Sequence, residues 1–320
     1  MKGVFMANWL GAVLLGMCLP GLIAAEITPA IGTGTHGDGT GAATDAPKEL
    51  VLWRRNYQSS AVRALVELAL EQTPEYPPVI LVPSESTPQG RALRELNAGN
   101  HGQVAIANVA TSPEREKNLL PIAIPFDRGL LGFRVCLIRE GEQHRFSGIQ
   151  DVEQFNRRGL LIGQGTHWPD RIILQANGLN VVSVPRFESL FPMLRRSRFD
   201  CFLRGASEVL IDMEQQDMQG LTVETDLLIQ YQMPSYLFVS PDNIVLAQRL
   251  ELGLRRAIES GAFDRYFDRH FRRAIEQLRL YERHFIVLQN PFMDELTTEK
   301  SLPVMPLQPD TLRPFPADLR

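Results

Sequence analysis

The chain has 320 residues, 44% of them hydrophobic and 22% charged, the make-up of an ordinary globular protein of about two domains rather than a fibre, a disordered chain or a polytopic membrane protein. Lys and Arg number 33 against 37 Asp and Glu, for a net charge of -4. There is no basic surplus to neutralise phosphates, so nucleic acid is not an expected partner.

Residues 1–25 read as a cleavable secretory signal: a charge at Lys2, an apolar run from Leu10 to Leu19, then Pro20 and the small residues Ala24 and Ala25. The mature chain is expected to begin near Glu26 and to be exported from the cytoplasm. Residues 26–47, rich in Gly and Thr, read as a flexible leader, and residues 291–320, with prolines at 291, 303, 306, 309, 314 and 316, as a disordered tail. Between them strands alternate with helices. Leu50 to Trp53 and Val79 to Val82 predict buried strands. A helix capped by Ser59 or Ser60 lies between the two, with Val62, Leu65, Val66 and Ala69 on one face. A helix over 88–98, stopped by Gly99, leads to a third strand over 103–108. Residues 129–138 form a long extended stretch, expected to cross into a second lobe.

The same grammar then repeats. A strand at Leu160 to Ile162 runs into a glycine loop, Gly163 to Thr166, and a helix over 168–177 stopped by Gly178. A strand at 181–184, a helix at 189–195 and a strand at 199–203 follow, and the strand Ser235 to Val239 leads into a helix capped by Asp242 and closed by Gly261. This alternation predicts an α/β protein with two mixed, mostly parallel sheets. The expected partition is lobe 1 from 48–133 and 236–290, and lobe 2 from 134–235. Two crossings, near 126–134 and 230–235, would act as a two-strand hinge beside a cleft. Cys136 and Cys201 stand 65 residues apart with no surrounding pattern. They make neither a disulfide framework nor a zinc site, and each is expected to pack in a strand.

Four stretches, in this order, resemble the periplasmic solute-binding proteins of the type II fold, extracellular family 3, which include polar-amino-acid receptors. Thr111 to Arg115 (TSPER) is similar to the segment whose Arg grips a ligand carboxylate. Ile162 to Thr166 (IGQGT) resembles the glycine loop that offers backbone N–H groups to an anion. Leu194 to Cys201 (LRRSRFDC) resembles the strand carrying a Val-Asp pair, here Phe199 and Asp200, and Ala257 to Phe267 the final helix. A narrower likeness is to an uncharacterised branch, through residues 115–122, 129–134 and 199–205. The resemblance implies a two-lobed receptor that closes on a small solute and presents it to a membrane permease or sensor. A monomer without cofactor or metal is expected. One departure matters: Gly205 stands where the amino-acid receptors place the carboxylate that holds the α-ammonium, and Arg204 precedes it. An unpaired ammonium is costly to bury, so the expected solute is an anion.

The candidate ligand-binding residues follow from this. Arg115 offers a planar fork for a carboxylate, or pairs with Glu114 or Glu116 as a surface cation. Ser112 precedes it on the same turn. Gly165 and Thr166 bring the N–H groups of the loop. Trp168 and Tyr57 are aromatic walls of a pocket, or core residues. Arg204 either adds a second positive group or pairs with Glu208 four residues on. No residue is assigned as catalytic. The alternative from another class is a metal-independent lyase of the dehydratase type, with His167 as its general acid.

Overall fold

The computed structural model describes residues 48–293; the signal, the leader and nearly all of the Pro-rich tail lie outside the described residues. The first strand, β1 (Lys48–Leu52), is followed by α1 (Arg54–Gln58) and α2 (Ser60–Glu71). Ser59 caps α2, its Oγ accepting from Val62 N–H at 3.4 Å. The apolar face read from the sequence is the buried one, through Ala61, Val62, Leu65, Val66 and Ala69. Next come β2 (Val79–Pro83), α3 (Gln89–Asn97), β3 (Ala107–Ala110), α4 (Pro113–Asn118) and β4 (Leu120–Ile122). Gly99 ends α3 in the left-handed region, at φ +71°.

The chain then passes through a 3-10 turn at Leu130–Gly132 into β5 (Phe133–Arg139), followed by α5 (Val152–Arg157), β6 (Ile162–Gly165), α6 (Asp170–Ala176), β7 (Val181–Val184), α7 (Leu190–Arg195) and β8 (Cys201–Gly205). After α8 (Ala206–Gln215) come β9 (Leu221–Val223), β10 (Leu227–Gln230), β11 (Ser235–Val239), α9 (Ile244–Glu259), α10 (Ala262–Gln277) and β12 (His284–Val287). Asn243 rather than Asp242 caps α9, its Oδ1 accepting from Leu246 N–H at 3.3 Å. Gly261, at φ +68°, separates α9 from α10.

Two sheet systems result. On one side β1 pairs with β2, and β11 stands between β3 and β4; Leu52 and Ile106 join the two sets by a parallel bridge. On the other, seven strands run in the order β12-β10-β5-β8-β6-β7, with β9 on β5. The fold is α/β and mixed, yet less parallel than its alternation suggests. β11 runs antiparallel to both neighbours, and β5 to β8, β9 and β10. The physical reason is that β5 and β11 are the strands by which the chain changes sides, so they enter their sheets against the grain. The segments around them lie side by side: Tyr231 N–H donates to Gly132 C=O at 3.1 Å. A Cβ on Gly132 would come within 2.2 Å of Tyr231 O. A third passage was not expected. β12 pairs with β10 in the seven-stranded sheet, although residues 236–290 were assigned to the first lobe.

Cys136 on β5 and Cys201 on β8 form a disulfide, with Cα atoms 5.0 Å apart. Both cysteines lie in strands, as expected, and they are paired, which their spacing left open. The strands are antiparallel neighbours, Cys136 facing Leu203, and that register, invisible in spacing alone, brings the two sulfurs together.

Candidate functional site

A cleft of about 560 Å³ opens between the two sheet systems. A buried amide pair holds one wall. Asn56 on α1 donates to Asn108 C=O at 3.0 Å and accepts from Asn108 N–H at 2.7 Å, while the Asn108 side chain donates to Tyr236 C=O at 3.0 Å. These bonds fix α1 against β3 and β11.

Arg115 lies in the cleft, only 7% exposed. Its guanidinium donates to Ala110 C=O, to Gln89 Oε1 at 3.0 Å and, across the cleft, to His167 C=O at 2.9 Å. None of these acceptors is a carboxylate. Burial without a partner charge pulls this guanidinium down to about 10, with Asp170 and Glu114 working in the other direction. The alternative of a surface cation paired with Glu114 or Glu116 does not describe it. Ser112 is not part of the lining; its Oγ caps α4, accepting from Arg115 N–H at 3.3 Å.

The glycine loop is a strand. Gly163 and Gly165 belong to β6, and both are small because rings lie against them. A Cβ on Gly163 would come within 2.4 Å of the Phe199 ring, and one on Gly165 within 2.7 Å of the Trp168 indole. Thr166 N–H donates to Val184 C=O at 2.9 Å and Trp168 N–H to Gly165 C=O at 3.0 Å. Thr166 does not cap a helix either, since α6 begins at Asp170 with Pro169 before it. Gly165 and Thr166 line the cleft, but the backbone donors expected to meet an anion are spent on the protein.

Trp168 forms a wall, its ring nearly parallel to Phe202 and 6.3 Å from it. Tyr57 does not line the cleft; it is partly buried, with the Arg63 guanidinium 5.4 Å from its ring centre. Arg204 makes the pair with Glu208 that was its second alternative, and a further one with Asp212. It is 2% exposed, pairs with Glu208 at 3.0 Å and Asp212 at 2.6 Å, and stands 5.0 Å from the Trp168 ring centre. Burial alone would lower this guanidinium, but the two carboxylates more than offset that and raise it.

The sequence reading missed the rest of this network. Arg134 on β5 pairs with Asp170, which also accepts from the Tyr231 hydroxyl at 2.6 Å, and lies 3.9 Å from Glu208. Arg55 reaches Asp212 at 3.7 Å and lies over the Phe187 ring. Arg54, Arg55, Arg115, Arg134, Arg186 and Arg204 line the cleft against Asp170, Glu188, Glu208 and Asp212. The cleft therefore contains carboxylates even though position 205 has none. A Cβ on Gly205 would meet Leu131 Cδ1 at 2.7 Å, Arg134 Nη1 at 3.1 Å and Glu208 Oε2 at 3.3 Å, so the space a side chain at 205 would take is already filled.

No family model matches the chain, and no curated protein matches it significantly. Solved structures do. An ancestral arginine-binding protein bound to arginine superposes with a TM-score of 0.52 at 14% identity, over 70% of this chain and 98% of its own. An amino acid ABC transporter substrate-binding protein from Streptococcus pneumoniae, bound to L-arginine, gives 0.53 at 15% identity, over 71% and 95%. An ancestral amino acid-binding protein, a precursor of cyclohexadienyl dehydratase, gives 0.51 at 12% identity, over 70% and 96%. These superpositions show that the chain has the two-lobed type II fold of the periplasmic binding proteins.

Proposed function

We propose that this protein is a periplasmic solute-binding protein whose lobes close on a small anion, a carboxylate above all, and hand it to a membrane permease or sensor. The observation that carries the reading is Arg115: a buried guanidinium that reaches both sides of the cleft and meets only neutral acceptors. Asp170 and Glu114 offset only part of the cost of its burial, and an anionic solute would supply a carboxylate in direct contact. The other cations of the lining are largely balanced by Asp170, Glu208 and Asp212, so the preference rests on this one group.

The fold supports solute binding, and the disulfide suits an oxidising compartment. The protein works as a monomer that bends, since contacts to both lobes at once give a solute its higher affinity for the closed form. Binding is favoured over the lyase alternative because Asp170, Glu208 and Asp212 spend their oxygens on arginines and Tyr231 instead of serving as bases beside His167. Mass spectrometry of solute released from natively purified protein, followed by calorimetry with that solute, tests the reading. An unchanged carboxylate is the expected result. Tight binding of a zwitterionic amino acid would overturn the anionic preference, and turnover of the solute would overturn the receptor role.

A further inference from the structure

Arg55 belongs to α1, on the side of the cleft formed by β1 and β3, yet its guanidinium lies on the opposite wall. Its Cζ stands 3.6 Å from the centre of the Phe187 ring, and Nη2 is 3.7 Å from Asp212 Oδ1. A flat cation over an aromatic face with a carboxylate near its edge has the contacts by which proteins hold guanidinium and ammonium ligands. Here the occupant is part of the chain itself. Arg204 approaches the same ring, at 5.3 Å, and the same carboxylate, at 2.6 Å, but from the buried side. Arg55 keeps 32% of its side chain exposed, so of the two guanidiniums it is the one that borders the open cleft.

We propose that Phe187 and Asp212 form a cation subsite that Arg55 occupies whenever the two walls meet, so that the closed cleft turns away solutes carrying a cationic head group at that position. The inference rests on the solute-binding reading and deepens it by naming the class of solute refused. With Arg55 in place, an incoming cation would meet two like charges at one carboxylate. With Arg55 shortened, the ring face and one edge of Asp212 become available.

The test is calorimetric titration of the full-length secreted protein with agmatine, a guanidinium compound without a carboxylate, and separately with glutarate. Wild type, Arg55→Ala, Arg55→Met and the double variant Arg55→Ala, Phe187→Leu are compared, with circular dichroism confirming that each is folded. Agmatine should bind Arg55→Ala at least tenfold more tightly than wild type, and Phe187→Leu should abolish the gain. Agmatine binding wild type as tightly as Arg55→Ala, or no gain in either folded single variant, would overturn the subsite. Glutarate separates the two readings. Glutarate binding to wild type without any agmatine gain in the variants overturns the subsite and leaves anion binding standing, whereas an agmatine gain without glutarate binding supports the subsite alone.

Discussion

Arg115 and Asp127 are both buried charges, and they carry opposite consequences. Removing the Arg115 guanidinium takes away a charge-assisted bond worth about 1.5–3 kcal/mol, so Arg115→Ala should weaken solute binding by roughly ten- to a hundredfold. Arg115→Lys should recover only part, because an ammonium cannot span Gln89, His167 and a solute with one planar fork. Calorimetry with the solute identified from the native protein decides it, and an alanine variant that binds like wild type would return Arg115 to a structural role. Asp127 accepts from Gly129 N–H at 3.0 Å and Leu131 N–H at 2.7 Å. Burial outweighs these bonds and pushes its carboxyl up to about 6. The folded chain therefore holds this proton more tightly than the unfolded chain does. Its stabilising contribution is full below the unfolded value near 4 and is lost as pH rises through about 6, a change of roughly 3 kcal/mol. Asp127→Asn should be less stable than wild type at pH 4, because its NH2 faces a backbone donor, and should lack that decline. Parallel urea-stability profiles for the two proteins from pH 4 to 7 would show that Asp127 does not titrate in this range.

At the scale of elements, α2 and α9 touch through Gly253, where an added Cβ would come within 2.0 Å of Ala69 O. Neither backbone can yield without shifting its helix. Gly253→Ala should therefore destabilise the protein by about 1–3 kcal/mol, despite the better helix propensity of alanine. A melting temperature at or above wild type would mean that the helices separate at little cost. The strand and helix alternation that places α2 and α9 was legible in the sequence because each apolar face is local: Val62, Leu65, Val66 and Ala69 recur at helical spacing. Arg115 was legible for a related reason, since strand, Ser-Pro turn and cation follow one another within a few residues. The glycines of β6 misled because composition signals a turn, while the rings that exclude a side chain there, Phe199 and Trp168, come from other parts of the chain. The ionic lining was hidden more thoroughly. Arg134, Asp170, Glu208, Asp212 and Arg55 stand on or beside four separate elements, and nothing but the fold brings them together. The pairing of Cys136 with Cys201 likewise depended on strand register. Replacing both cysteines by alanine should cost about 2–4 kcal/mol in denaturant unfolding, and an unchanged midpoint would leave the bridge without a role in stability.

For the molecule as a whole, the two neighbouring passages at 123–132 and 231–234 are where lobes on a common cleft would bend. Small-angle scattering with and without saturating solute should show a smaller radius of gyration when the solute is bound; equal radii would argue for a rigid cleft. The pairing of β5 and its disulfide bear on where such a bend would fall. Cys136 lies only a few residues into β5, and its bond to β8 makes that strand covalently one body with the seven-stranded sheet. With β5 paired to β10 from Phe133 and to β8 from Arg134, a bend would fall upstream, at the turn where Arg128 and Gly129 adopt positive φ and where Asp127 holds the turn through two N–H bonds. The bridge would then act as a brace as well as a staple: it stiffens the arm that carries one wall of the cleft, so that a movement at the turn would be passed to that wall whole.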